Sequence, residues 1–382
     1  MREPKSSTRR WAEGEFAGAA LGDKRRLDRL VALAAAAAES PGGTVTQVLS
    51  TSAEREGAYR FLENDDIDAG EIARAATRAC LERTKGMPFF FAPEDGCTLT
   101  LTDRTGRKGL GRIGDRRREA VGLETMGVIG VGPDGTPLGY LGQCYWARSD
   151  AATRVHYRKR KFEEKETRYW LKAIEFVETE RAQVPGCAVP WYQLDRGGDV
   201  KEVLEWASAK KSLVTVRAAK SRRLADKRVR YLWDDLSAAP ALGQYSLEID
   251  RSRTRKPRTA KLVLRAKTVT LRLRDRLTER RNEVTLNAVL VREQRTTPRS
   301  EKPIEWMLLT NHGVENFEEA LLVVQGYASR WRIEEFHRTW KTTCGVEDAQ
   351  LRSAAALERW ATTLAVVAMR IQRLCPSASA RS

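Results

Sequence analysis

The stretch YASRWRIEEFHRTWK, residues 327–341, sets a tyrosine, an arginine, a glutamate and a lysine at offsets of 0, 3, 7 and 14. At about 100° per residue, Tyr327, Arg330, Glu334 and Lys341 fall within one helical stripe roughly 60° wide. Ile333, Phe336 and Trp340 fall on the far side. The spacing therefore predicts an amphipathic helix with an apolar back and a polar stripe of mixed sign. Such a stripe can be no more than a solvated face with helical ion pairs. It can also offer cations to a phosphate and a carboxylate to a metal ion. Two further acids stand out by placement: Asp103 closes the alternating run CTLTLTD, and Asp195 stands at the end of the apolar CAVPWYQLD.

Three carboxylates brought together repel one another and stay ionised only beside cations. Their oxygens prefer hard ions such as Mg²⁺ or Mn²⁺. Two such ions, about 4 Å apart, activate a water or a 3′-hydroxyl at a phosphodiester and stabilise the leaving oxygen. Arg330 and Lys341 suit the phosphate itself. The chain holds 51 acids, so placement alone leaves Asp199, Asp115, Asp95 and Glu335 as alternatives, each also explained by surface or turn chemistry.

Positioning these groups needs an ordered scaffold. Helices are predicted from Asp23 to about Ser40, over SAEREGAYRFLEND, and from Asp68, with Glu71 at capping-box spacing, to Gly86. The pattern then changes period. CTLTLTD and two apolar strands around Pro133-Asp134-Gly135-Thr136 predict a three-strand meander ending its first strand at Asp103. A charged helix over 160–183 leads to the strand that ends at Asp195. Pairing that strand in parallel beside the first would bring Asp103 and Asp195 close. From there to about residue 300 the chain is β-like and basic. IEWMLLTN is a strand, and AAALERWATTLAVVAMRIQRL is a last amphipathic helix, followed by a short tail predicted to be disordered.

The net charge of +17 is unevenly placed. Residues 210–299 hold 25 Lys and Arg against 9 Asp and Glu, a net of +16, whereas residues 1–90 balance at 14 against 14. A concentrated basic region of this kind predicts a nucleic-acid surface. Six cysteines without a CxxC pair and only three histidines argue against zinc sites and disulfides and for a reducing, cytoplasmic setting. No apolar run of about 18 residues suggests a membrane span, and the N-terminus lacks the apolar stretch of a signal peptide.

With these residues in view, the chain resembles the bacterial DDE cut-and-paste transposases of the insertion-sequence-four type, whose signature is Y-x2-R-x3-E-x6-K. The resemblance runs from about residue 9 to 373 and includes ALGDKRRLDRLV, EGAYRFLEN, LTDRTG, YQLDRGGD, LVTVRAAKSR, VTLNAVL and EWMLLT. It implies an α/β fold: a ribonuclease-H-like catalytic core with an inserted β-rich domain and a helical N-terminal DNA-binding domain. The domains would be 1–90, helical and reading the DNA end; 91–209, the first part of the core; 210–300, the basic β insert; 301–353, the rest of the core; and 354–382, a last helix and tail. Asp103, Asp195 and Glu334 would be the catalytic, metal-binding acids, holding two Mg²⁺ or Mn²⁺ ions. Tyr327, Arg330 and Lys341 would hold phosphates at the transposon end, and Trp306 would stack on a flipped base. Arg217 and Lys220, and Arg26, Arg29 and Arg60 in the head, match DNA-contacting positions. The partner is double-stranded DNA, as transposon ends and target, with a homodimer in the synaptic complex.

Members of this type cut DNA by hydrolysis, form and reopen a hairpin on the transposon end, and join its 3′-hydroxyl to target DNA. They continue for roughly a hundred residues beyond the last helix with a dimerising extension, and they carry a basic residue where Glu39 stands here. The alternative expectation is therefore a truncated, non-catalytic DNA-binding protein or an inhibitor of a full-length transposase. A nuclease of the same fold is the third reading.

Overall fold

The computed structural model describes residues 6–114, 120–149, 159–209, 212–226, 228–249, 257–275, 277–294, 297–298 and 301–375. The chain forms two compact units. The first is built from Met1–Arg160, Arg168–Ala188 and Trp331–Ser377, and the second chiefly from Val189–Arg330.

The first unit opens with five helices: α1 (Ser7–Phe16), α2 (Lys24–Glu39), α3 (Val45–Val48), α4 (Ser52–Leu62) and α5 (Ala69–Glu82). Short polar side chains start them, because the first amides of a helix lack intrahelical partners. Asp23 accepts from the Arg25 amide before α2, and Thr51 and Glu54 close a reciprocal capping box at α4. The box expected at α5 is half formed. Asp68 caps the Gly70 amide, but Glu71 pairs with Arg74 instead. α5 also stops at Glu82, ahead of Gly86.

Next come β1 (Phe89–Leu101), the two-residue β2 (Gly111–Arg112), β3 (Val121–Val131) and β4 (Pro137–Trp146), with β1 and β4 both antiparallel to β3. β1 begins eight residues before the alternating run that marks it in the sequence, because FFFAPEDG is also extended and largely buried. The β3–β4 turn is the expected one. Thr136 and Asp134 bond each other, and Gly135, at φ 82°, takes the left-handed conformation that disfavours a side chain. Helix α6 (Arg168–Arg181) packs on β3 and β4. It is shorter than the charge pattern 160–183 predicts.

The second unit carries β5 (Val189–Leu194), α7 (Lys201–Ala209), β6 (Leu213–Arg217), α8 (Leu232–Ala238), β7 (Gly243–Ile249), β8 (Arg258–Arg274), β9 (Arg281–Glu293), β10 (Glu305–Thr310) and α9 (Phe317–Ala328). Its sheet runs β5-β6-β10-β9-β8-β7. β5 and β6 are parallel, and the remaining pairs are antiparallel. The basic strands therefore extend the same sheet that carries β5.

The chain then returns to the first unit with α10 (Trp331–Arg338), a π-helical turn at Thr339–Thr343, and α11 (Ala354–Leu374). The single helix expected over 327–341 is thus divided: α9 ends at Ala328, and Ser329 and Arg330 form a turn. The apolar back holds, with Ile333, Phe336 and Trp340 all fully buried. α11 is enclosed nearly all round from Ala356 to Met369, so its apolar face is used inside the unit. No helix among the described residues is long and apolar enough to cross a membrane.

Candidate active site and DNA-contact residues

In the first unit, Asp103 stands two residues past the end of β1, in the loop TDRTGRKG. Its Oδ1 accepts from the Thr105 amide (3.2 Å) and hydroxyl (3.1 Å), and its Oδ2 from the Lys108 amide (2.9 Å). Desolvation pushes its pKa up, but these donors outweigh it and hold the carboxyl below the usual aspartate range. The group is therefore an ionised, half-exposed carboxylate.

Glu334 lies in the first turn of α10 and is exposed. α10 packs on β1 and β3, the strands that lead to and brace Asp103. Seven residues on, Lys341 reaches back to β1. Its Nζ donates to the Thr98 carbonyl (2.5 Å) and pairs with Glu347 (3.2 Å), whose Oε1 also accepts from the Thr100 amide (2.7 Å). Asp103, Glu334 and Lys341 are thus carried by one strand and the helical segment packed on it. A close backbone approach fixes the turn after Lys341. A Cβ at Gly43 would sit 1.8 Å from the Gly345 carbonyl oxygen, so only glycine fits there.

In the second unit, Asp195 follows β5 directly and caps the Gly197 amide through Oδ1 (2.6 Å). Its second oxygen takes no hydrogen bond among the described residues. Four residues later, Asp199 is buried and fully committed: it binds Arg222 (2.6 and 2.8 Å) and the Ala219 amide (2.9 Å). That pair ties the turn after β5 to the segment after β6, which gives Asp199 a structural task. Glu335 is likewise engaged, by the buried Arg332 at 3.0 Å. Asp95 accepts from the Gly96 amide, and Asp115 lies outside the described residues.

The same unit holds Tyr327, Arg330, Trp306, Arg217 and Lys220. Tyr327 is 5% exposed, not on an open polar stripe, because the helix that carries it ends one residue later. Its ring meets Trp306 edge-on at 5.2 Å between centroids. Trp306 is half-buried on β10, so part of its indole remains outside the core. Arg217 donates to the Glu305 carbonyl (3.2 Å), Arg330 is half-buried, and Lys220 is exposed.

A family of transposase DDE domains matches residues 165–370, more than half of the chain, and a family of transposase DNA-binding domains matches residues 8–67. The chain belongs to the DDE transposase family. The first match spans Asp195 and Glu334, and Asp103 precedes it. The second covers the helices α1 to α4, which assigns this transposase DNA as its partner.

In the DNA-binding head of the transposase, Arg26 pairs with Asp66 (2.8 Å), and Arg60 is exposed beside Glu56. The Arg29 guanidinium lies over Gly57, where a Cβ would meet it at 2.5 Å. The sequence does not announce an open groove of about 880 Å³ in the first unit, lined by Arg55, Tyr59, Arg60, Gln350 and Arg352 among others. The i, i+4, i+5 spacing of Arg55, Tyr59 and Arg60 on one helix was the available signal. Nothing in the sequence couples them to residues nearly 300 positions away.

Proposed function

We propose that this transposase is of the insertion-sequence-four type with the Y-x2-R-x3-E-x6-K signature at Tyr327, Arg330, Glu334 and Lys341. It binds transposon-end DNA and catalyses strand cleavage and strand transfer. The observation that carries this reading is the anchoring of Lys341 and the Glu334 helix on β1, the strand that delivers Asp103.

Asp103, Asp195 and Glu334 are the catalytic acids in this reading. What supports divalent cations of the Mg²⁺ class is the chemistry of the donors: all three are carboxylates, Asp103 is held ionised, and Asp195 keeps an oxygen available, although no group of three such side chains is gathered around a metal position among the described residues. Two such ions bound there supply Lewis-acid stabilisation to the attacking and leaving oxygens. The chain's own residues do the rest. Lys341 and Arg330 hold phosphate oxygens, and Tyr327 braces Trp306, whose half-buried indole offers a stacking face to an extrahelical base. In the hydrolytic step water attacks phosphorus and the P–O3′ bond breaks, leaving a 3′-hydroxyl and a 5′-phosphate. In strand transfer that hydroxyl attacks a target phosphate and displaces a target 3′-oxygen. Two subunits meet in the synaptic complex through a surface other than the Ala356–Met369 part of α11, where every residue but Glu358 is buried.

The test is cleavage of duplexes carrying the element's ends, with Mg²⁺, by wild type and by Asp103→Ala, Asp195→Ala and Glu334→Ala. Loss of cleavage with retained gel shift in all three is the expected result. Cleavage by any one variant removes that residue from the site.

A further inference from the structure

The arginines of this protein divide into two kinds. Many described ones face a carboxylate: Arg26 and Asp66, Arg74 and Glu71, Arg258 and Glu293, Arg272 and Glu283, Arg274 and Glu279, Arg292 and Glu305. A hairpin at 221–231 in the second unit, of which Lys227 lies outside the described residues, gathers three of the other kind. Arg223, Arg228 and Arg230 are exposed, and no acidic partner is found for any of them among the described residues. Two of them flank one ring: the Arg223 and Arg230 guanidiniums lie 6.0 and 5.5 Å from the centre of Tyr231. The acid within the hairpin, Asp226, is turned to its own turn and accepts from the Arg228 amide (2.7 Å).

The hairpin is firmly held. Its base is fixed by the buried pair of Arg222 with Asp199 (2.6 Å) and by Leu232 donating to the Arg222 carbonyl (3.0 Å). Leu224 is buried and bonds across the hairpin to the Arg230 carbonyl (3.1 Å). One arm also pairs with β8: Ala225 donates to Thr270, and Arg272 donates to Arg223. Three guanidiniums with no acidic partner among the described residues therefore stand on a hairpin whose base and one arm are fixed by these bonds.

We propose that the 221–231 hairpin is a clamp for the phosphate backbone of duplex DNA, with Arg223, Arg228 and Arg230 as its contacts and Tyr231 as the spacer that holds two of them apart. Unpaired cations repel one another and persist at a cost to folding unless a polyanion is the intended counter-charge. Guanidinium forks match phosphate oxygens two at a time. Contacts of this class position DNA without reading sequence, so the hairpin engages any duplex. The inference rests on the assignment of DNA as partner, not on catalytic competence.

The test uses the full chain without metal. Binding of a random-sequence duplex and of an end-bearing duplex is measured by anisotropy across a salt series, for wild type and for the combined variant R223Q/R228Q/R230Q. Each phosphate contact contributes about 0.9 to the slope of log K against log salt, so the slope should fall by about 2 to 3 on both duplexes. The matching R223K/R228K/R230K variant should recover most of the slope, which separates charge from folding. An unchanged slope overturns the proposal, as does a loss confined to the end-bearing duplex or a lysine variant no better than the glutamine one. A wild type that binds but fails to cleave with Mg²⁺ counts against the catalytic reading alone.

Discussion

Two turns in this protein follow the ends of strands and carry an acid, and they use it differently. After β1, Asp103 closes its own loop with both oxygens, accepting from Thr105 and Lys108. After β5, the work is divided. Asp199 is buried and ties the turn to Arg222 and Ala219, and Asp195 needs one oxygen for the Gly197 amide. One region commits both oxygens of a single carboxylate to its own loop; the other gives the bracing to one acid and leaves an oxygen of a second one open. The lesson is that an acid's position at a strand end does not define its role. What the rest of the turn leaves for it to do is what matters.

The largest expected effect follows from that contrast. Asp195→Asn keeps an acceptor for the Gly197 amide and removes only the charge, so cleavage should fall at least a thousandfold, on the order of 4 kcal/mol in barrier, with the melting temperature unchanged. Asp103→Asn should lose cleavage as fully and also lower the melting temperature, because its loop depends on the ionised group. Cleavage assays with thermal melts on the same preparations check both. Equal stability of the two variants would erase the distinction between the turns.

The converse variant is Asp199→Ala. Its carboxylate is fully buried against Arg222, itself 8% exposed. Removing one member of such a pair strands the other charge, at a cost of about 3 to 5 kcal/mol. Urea unfolding should show that loss, and any fall in cleavage should follow the folded fraction. A stable Asp199→Ala protein without activity would make Asp199 the reactive acid and Asp195 the brace.

Much of this architecture is legible in the sequence because local physics writes it there. Asp23 and Asp68 mark helix starts by capping chemistry, and the alternation of CTLTLTD marks a strand whose end fixes Asp103. The burial of Ile333, Phe336 and Trp340 follows from helical spacing. The division of 327–341 into two helices is not legible, since no Gly or Pro marks the turn at Ser329 and Arg330. There the Ser329 hydroxyl donates to the Gly326 carbonyl three residues back, a local bond that serine also makes inside continuous helices, so its residue type does not announce a break. Neither is the role of Asp199, because its partner Arg222 lies 23 positions away and only the fold joins them. The net charge of 210–299 is visible in the sequence, but which arginines lack acids is not.

A smaller effect concerns how the first region holds its lysine. Glu347 neutralises Lys341 and clamps the β1 amide of Thr100. Glu347→Gln retains an acceptor for Thr100 and, on the proposed phosphate role of Lys341, removes the charge that would compete with DNA for it. A partly exposed pair of this kind contributes about 0.2 to 1 kcal/mol, so DNA affinity should rise by up to about fivefold at low salt. Anisotropy measures this directly. Weaker binding in the variant would mean that Glu347 aims Lys341 at the phosphate rather than masking it.

The smallest expected effect is a pH dependence confined to the second unit. His312 lies edge-on to Trp191 at 4.5 Å between ring centres, close to the end of β10. Burial lowers its pKa below the ordinary 6.5, and the Glu319 charge opposes that only in part. The folded state therefore favours the neutral ring. Its contribution to stability is fully present above pH 6.5 and is lost as the pH falls through the depressed folded value, because the unfolded chain takes up the proton first. His312→Gln should remove that component. The melting temperature of wild type relative to the variant should be highest near pH 8 and shrink steadily toward pH 5. A difference that is flat across this range would show that burial does not depress the imidazole, and one that grows as the pH falls would show that Glu319, not burial, governs it.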